Sequence, residues 1–279
     1  MVELTITVRE LPIHVVMNGD AQLPTIVFLH GFTGATTTWR EVLEHVGSEF
    51  RTIAVDLTGH GMTGVPEAPA RYAMEEQIAD LHMLFQKLSL QSFVLVGYSM
   101  GGRIALAYTI QYPEQIQALV LESASPGLAT EEARIARRQA DEKLACRIEA
   151  EGVRPFVDNW ENIPLFQSQK KLPEEKRIQI RNERLQQSGQ GLANSLRGIG
   201  TGSQPSYWGL IGNLKENVLL ITGELDEKFV TIAREMNEIA SLWKHTIVPG
   251  AGHAIHVEKP SLFATMVKEF ILAIQKEEH

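Results

Sequence analysis

Ser99 stands in Gly97-Tyr98-Ser99-Met100-Gly101, directly after the apolar run Phe93-Val94-Leu95-Val96. This G-x-S-x-G spacing holds a serine on a sharp strand-to-helix turn, because a side chain at either glycine would crowd the backbone. A serine hydroxyl is a poor nucleophile or proton carrier until a base sits beside it. Two candidate partners follow, each just past an apolar strand: Asp226 in T-G-E-L-D-E-K-F and His253 in P-G-A-G-H-A-I-H. Groups placed past strand carboxyl ends converge in one crevice. The expected roles follow: Asp226 fixes the tautomer of His253, and His253 takes the proton of Ser99. Glu224, two residues before Asp226, is the alternative acid.

Negative charge developing near Ser99 needs donors. The amide of Met100 opens the following helix, where N–H groups are free and the dipole favours anions. The second donor is expected from the loop G-F-T-G, as the amide of Phe32. Arg103 lies one turn beyond Ser99 on the same helix face. Burying its guanidinium beside a reactive pocket is costly unless a carboxylate meets it. That carboxylate belongs either to the protein, as a salt bridge, or to the substrate, and the substrate is the preferred reading. Arg134, Arg137 and Arg138 on one helical stretch, and Arg177, Arg181 and Arg184 on another, could extend such a clamp. Trp160 is read as either a pocket ring or a core residue. His30, His60 and Asp56 read as groups that brace their own loops, and His256 as surface or structural. His14, His45, His82 and His245 have no grouping that recommends them. No metal-ligand spacing appears, so neither a metal nor a cofactor is expected.

The elements that must position these residues are legible as strand-helix alternation through Glu122. The expected fold class is α/β: a mainly parallel central sheet flanked by helices, with a helical cap inserted after the strand at about 118–122. Residues 1–129 and 213–279 would form the core and 130–212 the cap. Cap helices are predicted over 131–151, 153–160, 173–187 and 191–197. At the N-terminus, antiparallel strands over 3–9 and 13–17 are predicted to join at Leu11-Pro12. A net charge of −8 gives no support to nucleic-acid binding, and one cysteine, Cys146, excludes an intrachain disulfide. No run approaches the roughly 20 apolar residues of a membrane span. The N-terminal M-V-E-L-T-I-T-V lacks the pattern of a signal peptide, so a cytoplasmic protein is expected. Oligomeric state stays open.

With these residues in hand, the chain resembles the menaquinone-pathway branch of the α/β-hydrolases. The likeness runs through L-H-G-F-T-G, D-L-T-G-H-G, V-G-Y-S-M-G-G-R, L-E-S-A-S-P-G-L, R-R-Q-A-D-E-K-L-A, W-E-N-I-P-L-F, G-L-A-N-S-L-R, G-E-L-D-E-K-F and P-G-A-G-H-A. The resemblance implies a cofactor-free lyase that releases pyruvate from an enolpyruvyl cyclohexene carboxylate bearing a succinyl side chain, a small di- or tricarboxylate. It places the family triad on Ser99, Asp226 and His253, and the amide donors on Phe32 and Met100. The family arginine of the nucleophile helix falls on Arg103, the residue before the serine on Tyr98 and the cap tryptophan on Trp160. The first cap arginine matches Arg137, with Arg138 beside it, while Arg181 and Arg184 compete for the second. Two other readings remain: a carboxylesterase or carbon-carbon bond hydrolase working through an acyl-serine, and a non-catalytic scaffold.

Overall fold

Near-continuous apolar runs form the strands of one sheet, as strands covered on both faces must. The computed structural model describes residues 1–277. Its strands are β1 (Val2–Val8), β2 (Leu11–Asn18), β3 (Thr25–Leu29), β4 (Arg51–Val55), β5 (Phe93–Tyr98), β6 (Ile116–Glu122), β7 (Asn217–Gly223) and β8 (Lys244–Val248). They lie in the order β1-β2-β4-β3-β5-β6-β7-β8. The pairs β1·β2 and β2·β4 are antiparallel, and the pairs from β4 to β8 are parallel. The chain runs from β3 outward to β4, then crosses back to place β5 on the other side of β3. At this reversal the loops after β3 and β5 diverge and leave a crevice at the strand carboxyl ends. Ser99 and Phe32 stand on those two loops.

The helices are α1 (Arg40–Val46), α2 (Met74–Lys87), α3 (Met100–Gln111), α4 (Glu131–Glu151), α5 (Val153–Trp160), α6 (Glu174–Leu185), α7 (Gly189–Ile199), α8 (Glu227–Ile239), α9 (Ile255–Glu258) and α10 (Pro260–Glu277). One face of the sheet packs on α2, α3 and α8 through residues such as Leu84, Phe85, Ile104 and Met236. The other packs on α1 and α10 through Val42, Leu43, Phe263 and Val267. Between β6 and β7, α4 to α7 form a helical cap with its own apolar cluster, including Ile148, Phe156, Leu192 and Leu196. Phe32 of the core packs against that cluster. This is the capped α/β arrangement expected from the alternation.

The N-terminal hairpin differs from the expectation. Its turn is Arg9-Glu10, with φ of 46° and 65°, and Leu11-Pro12 begins β2. Pro12 is tolerated because β2 pairs with β4 only from Val15 onward, so the missing N–H breaks no ladder there. The carbonyl of Pro12 instead accepts from the Gly64 amide at 2.9 Å.

The serine turn shows why its glycines are needed. Ser99 adopts φ 51° and ψ −107°, a strained conformation for a residue with a side chain. A Cβ on Gly101 would lie 2.3 Å from the Leu29 carbonyl oxygen, and one on Gly97 would lie 2.5 Å from the Gly101 oxygen. Both obstacles are backbone and cannot swing away. Gly101→Ala is therefore expected to destabilise the fold by about 2–4 kcal/mol, read as a lower urea midpoint at unchanged slope. An unchanged midpoint would contradict the close approach of α3 to β3.

Candidate active site

Three side chains from separate loops meet at the crevice. His253 Nε2 lies 3.0 Å from Ser99 Oγ, and His253 Nδ1 lies 2.6 Å from Asp226 Oδ2. His253 is 1% exposed and Asp226 7%, so water competes little for these bonds. With Nδ1–H donating to the carboxylate, Nε2 is left as the acceptor for the serine hydroxyl. The three form a Ser-His-Asp triad. Glu224 is elsewhere: its Oε2 accepts from the Gly250 amide at 2.8 Å and orders that turn.

Met100 is the first residue of α3, so its N–H has no partner within the helix. Phe32, on the loop across the crevice, borders the same cavity as Ser99 and Met100. That cavity measures about 630 Å³ and reaches up under the cap. Tyr98, Arg103, Arg137, Trp160, Phe166 and His253 also line it. Trp160 is thus both a pocket ring and a packing residue, edge-on to Phe32 with centroids 5.5 Å apart and stacked on Phe156 at 5.4 Å. Tyr98 packs between the rings of His253 and His256, at 5.3 and 4.6 Å. Burial, followed by the field of Glu122, pushes its phenol well above the usual tyrosine range, so it stays neutral.

Arg103 is 8% exposed and has no carboxylate in ion-pair contact among the described residues. Its Nη1 donates to the Ile199 carbonyl at 2.9 Å and to Gln204 Oε1. Burial pulls its pKa down to about 10, with Arg137 adding to the effect and Asp141 opposing it. The group stays cationic at neutral pH. The salt-bridge reading of Arg103 is therefore not what the structure contains.

The cap arginines separate. Arg137 lines the cavity and donates Nε to Asp141 at 2.8 Å. Arg138 turns to the Gly202 carbonyl and to Glu131. Arg184 is buried behind Phe166, with its guanidinium carbon 4.6 Å from the ring centroid, in a smaller adjoining cavity of about 240 Å³ that Tyr98 also borders. Arg181 is not brought to the Ser99 cavity; it is paired with Asp158 and Glu161 in a side groove. The expected contact of Arg181 with substrate thus finds no support in its placement, since two carboxylates hold its guanidinium away from that cavity. Residues that sequence reasoning passed over include Gln204 on Arg103, and Lys228 and Phe229 on the cavity wall. Phe229 also packs on His253 at 4.6 Å. Lys228 and Phe229 stand inside the quoted D-E-K-F, which was the available signal.

The remaining histidines brace the framework. His30 Nδ1–H donates to the Gly31 carbonyl while Nε2 accepts from the Leu57 amide, which fixes a neutral tautomer. Asp56 orders its loops by accepting from the Thr36 and Met62 amides and from His14. His256 is fully buried against Glu122, with its Nδ1 2.8 Å from the carboxylate. His60 donates to the Thr58 carbonyl, and burial, helped by neighbouring His30, lowers its pKa to about 3. Burial likewise lowers His30. Below pH 6.5 the unfolded chain protonates both rings while the folded chain resists, so each contribution is present above that pH and is lost on acidification, for His60 as pH falls toward 3. The expected slope is up to about 1.4 kcal/mol per pH unit for each ring. His60→Gln should flatten the dependence of the urea midpoint on pH between 6 and 4, and an equally steep curve would exclude His60 as a source.

A parallel sheet carrying a Ser-His-Asp triad at its carboxyl edge beneath a helical cap defines an enzyme of the α/β-hydrolase class. Comparison agrees: a family profile described as alpha/beta hydrolase fold matches residues 24–260. A Bacillus subtilis protein assigned as a 2-succinyl-6-hydroxy-2,4-cyclohexadiene-1-carboxylate synthase is 47% identical over 249 residues, spanning 89% of this chain and 90% of its own. The synthase of that name from Salmonella paratyphi C is 32% identical, covering 88% of this chain and 92% of its own. The solved structure of MenH from S. aureus superposes with a TM-score of 0.89 at 36% identity, covering 94% of this chain and 98% of that one. The chain belongs to the α/β-hydrolase family, in its branch of MenH-type synthases. No helix among the described residues is long and apolar enough to cross a membrane.

Proposed function

We propose that this chain eliminates pyruvate from 2-succinyl-5-enolpyruvyl-6-hydroxy-3-cyclohexene-1-carboxylate, giving 2-succinyl-6-hydroxy-2,4-cyclohexadiene-1-carboxylate. The observation that carries the reading is Arg103, a buried cation one turn from Ser99 that faces the cavity with no protein carboxylate in contact. A neutral ester would have no use for it.

In this reading His253 Nε2 takes the hydroxyl proton of Ser99, and the serine oxygen removes the ring C–H proton beside the succinyl ketone. The electron pair moves onto the ketone oxygen, where the Phe32 and Met100 amides would stabilise the enolate. Collapse of the enolate forms the new ring double bond and breaks the C–O bond to the enolpyruvyl group. His253 returns its proton to the leaving group, which departs as pyruvate, and Ser99 keeps the proton taken from the substrate. No acyl-serine forms. Arg103 and Arg137 would hold substrate carboxylates so that the C–H faces Ser99 Oγ. Arg184 behind Phe166 could take a third carboxylate. The same proposal sets the activity in the cytoplasm, in keeping with the exposed, unpaired thiol of Cys146.

The test is incubation with the enolpyruvyl precursor, following pyruvate and the absorbance of the conjugated diene together. Equal amounts of both support the elimination. Absence of pyruvate, or an acyl-serine adduct formed at the rate of turnover, refutes it.

A further inference from the structure

Arg103 is held in an unusual way for a buried cation. Two neutral oxygens, the Ile199 carbonyl and Gln204 Oε1, share its Nη1. Its remaining nitrogens have no protein acceptor among the described residues. Ile199 is the last residue of α7, so its carbonyl is one the helix leaves free, at the negative end of the dipole. This contact orients a guanidinium while leaving most of its charge uncancelled.

Gln204 completes the arrangement from a loop wedged between cap and core. It is 1% exposed. A guanidinium has only donors, so the amide must turn its oxygen to Arg103. That choice leaves Gln204 Nε2 buried against Gly127 without an acceptor among the described residues. A glutamate of the same shape would satisfy Arg103 more strongly and would leave no orphaned donor. The loop is fixed from the other side as well, since Arg138 donates to the Gly202 carbonyl at 2.9 Å and the Gln204 backbone N–H donates to the Gly200 oxygen at 3.1 Å. The side chain thus springs from a fixed backbone, yet its amide is the weaker partner electrostatically.

We propose that Gln204 is a positioning and specificity-determining residue, whose neutral amide aims Arg103 at the cavity while leaving its charge free for a substrate carboxylate. This rests on the elimination reading above. The required feature is the absence of charge at position 204, and that makes the role separable from packing.

The experiment compares Gln204→Glu and Gln204→Met with the unaltered chain, measuring KM and kcat for pyruvate release across pH 5.5 to 8, with thermal melts as the fold control. Q204E is expected to raise KM at neutral pH at least about tenfold while kcat changes less, because its carboxylate competes for Arg103. Its KM should stay raised across that whole range, because a carboxylate paired with Arg103 is held below the ordinary glutamate range and does not protonate there. Q204M leaves the charge free but loosens its aim, and should raise KM only about threefold. An unchanged KM in a folded Q204E, or a Q204M defect as large as that of Q204E, overturns the proposal. If Q204E does not fold, Q204M decides: a KM rise with kcat retained supports the role, and an unchanged KM refutes it. The underlying reading fails separately. If the unaltered chain releases no pyruvate, or Arg103→Met leaves KM unchanged, both fall together, whereas a defect in Arg103→Met alone removes only the role of Gln204.

Discussion

Ser99→Ala is expected to lower kcat for pyruvate release by about ten-thousand-fold, with little change in KM or melting temperature. The size follows from the geometry of the proton path. Ser99 Oγ is the hydroxyl that His253 Nε2 meets, at 3.0 Å, and Asp226 already holds the other ring nitrogen. Removing Oγ leaves an imidazole of the correct tautomer with a gap where the proposed base stood. The fold should tolerate the change, because alanine keeps the Cβ and relieves nothing that the surrounding backbone relies on. Single-turnover measurement of diene formation checks the result. A loss below about tenfold would mean that His253 reaches the substrate C–H without the serine, and the proton relay would have to be rewritten with His253 as direct base.

The second large effect is expected at Arg103. Arg103→Met should reduce kcat/KM on the enolpyruvyl substrate by about a hundredfold to a thousandfold, most of it in KM. A desolvated guanidinium meeting a carboxylate contributes far more than an exposed pair, and this one has no internal partner to offset its loss. Arg103→Lys is expected to recover little, because an ammonium held by the Ile199 and Gln204 oxygens has one N–H left for the cavity and not the planar set of donors that a guanidinium presents to a carboxylate. Arg103→Met also leaves those two buried oxygens unpaired, at about 1–3 kcal/mol each, so a melt must accompany the kinetics. An esterase working through an acyl-serine predicts a different pattern, with little loss at Arg103. Comparing Arg103→Met on the proposed enolpyruvyl substrate and on a neutral ester therefore separates the two chemistries.

Much of the fold was legible because its signals are local. Strand-helix alternation, the cap helices Glu131–Glu151 and Val153–Trp160 and the turn around Ser99 each follow from periodicity or from glycine placement within a few residues. The triad was legible for a different reason. In a parallel sheet every loop after a strand opens on the same edge, so the order Ser99, Asp226, His253 already places the three groups on one rim. The hairpin turn at Arg9-Glu10 was not legible, since two charged residues at positive φ carry none of the glycine or asparagine that marks such turns.

What the sequence by itself determined about this protein is thus its architecture, its triad and the presence of a cation beside the serine. Tertiary structure alone decided what each charge meets. Helical spacing puts Arg137 and Arg138 on one stretch without saying that the first faces the cavity and the second braces Gly202. Nor does it show that Arg181 is claimed by Asp158 and Glu161, or that Glu122 is sealed against His256. Gln204 stands 101 residues from Arg103 in an unremarkable loop, and no local pattern links them. A side chain's own element fixes its direction from the backbone, but its partner comes from another element, and only the packing of cap on core brings the two within hydrogen-bond reach.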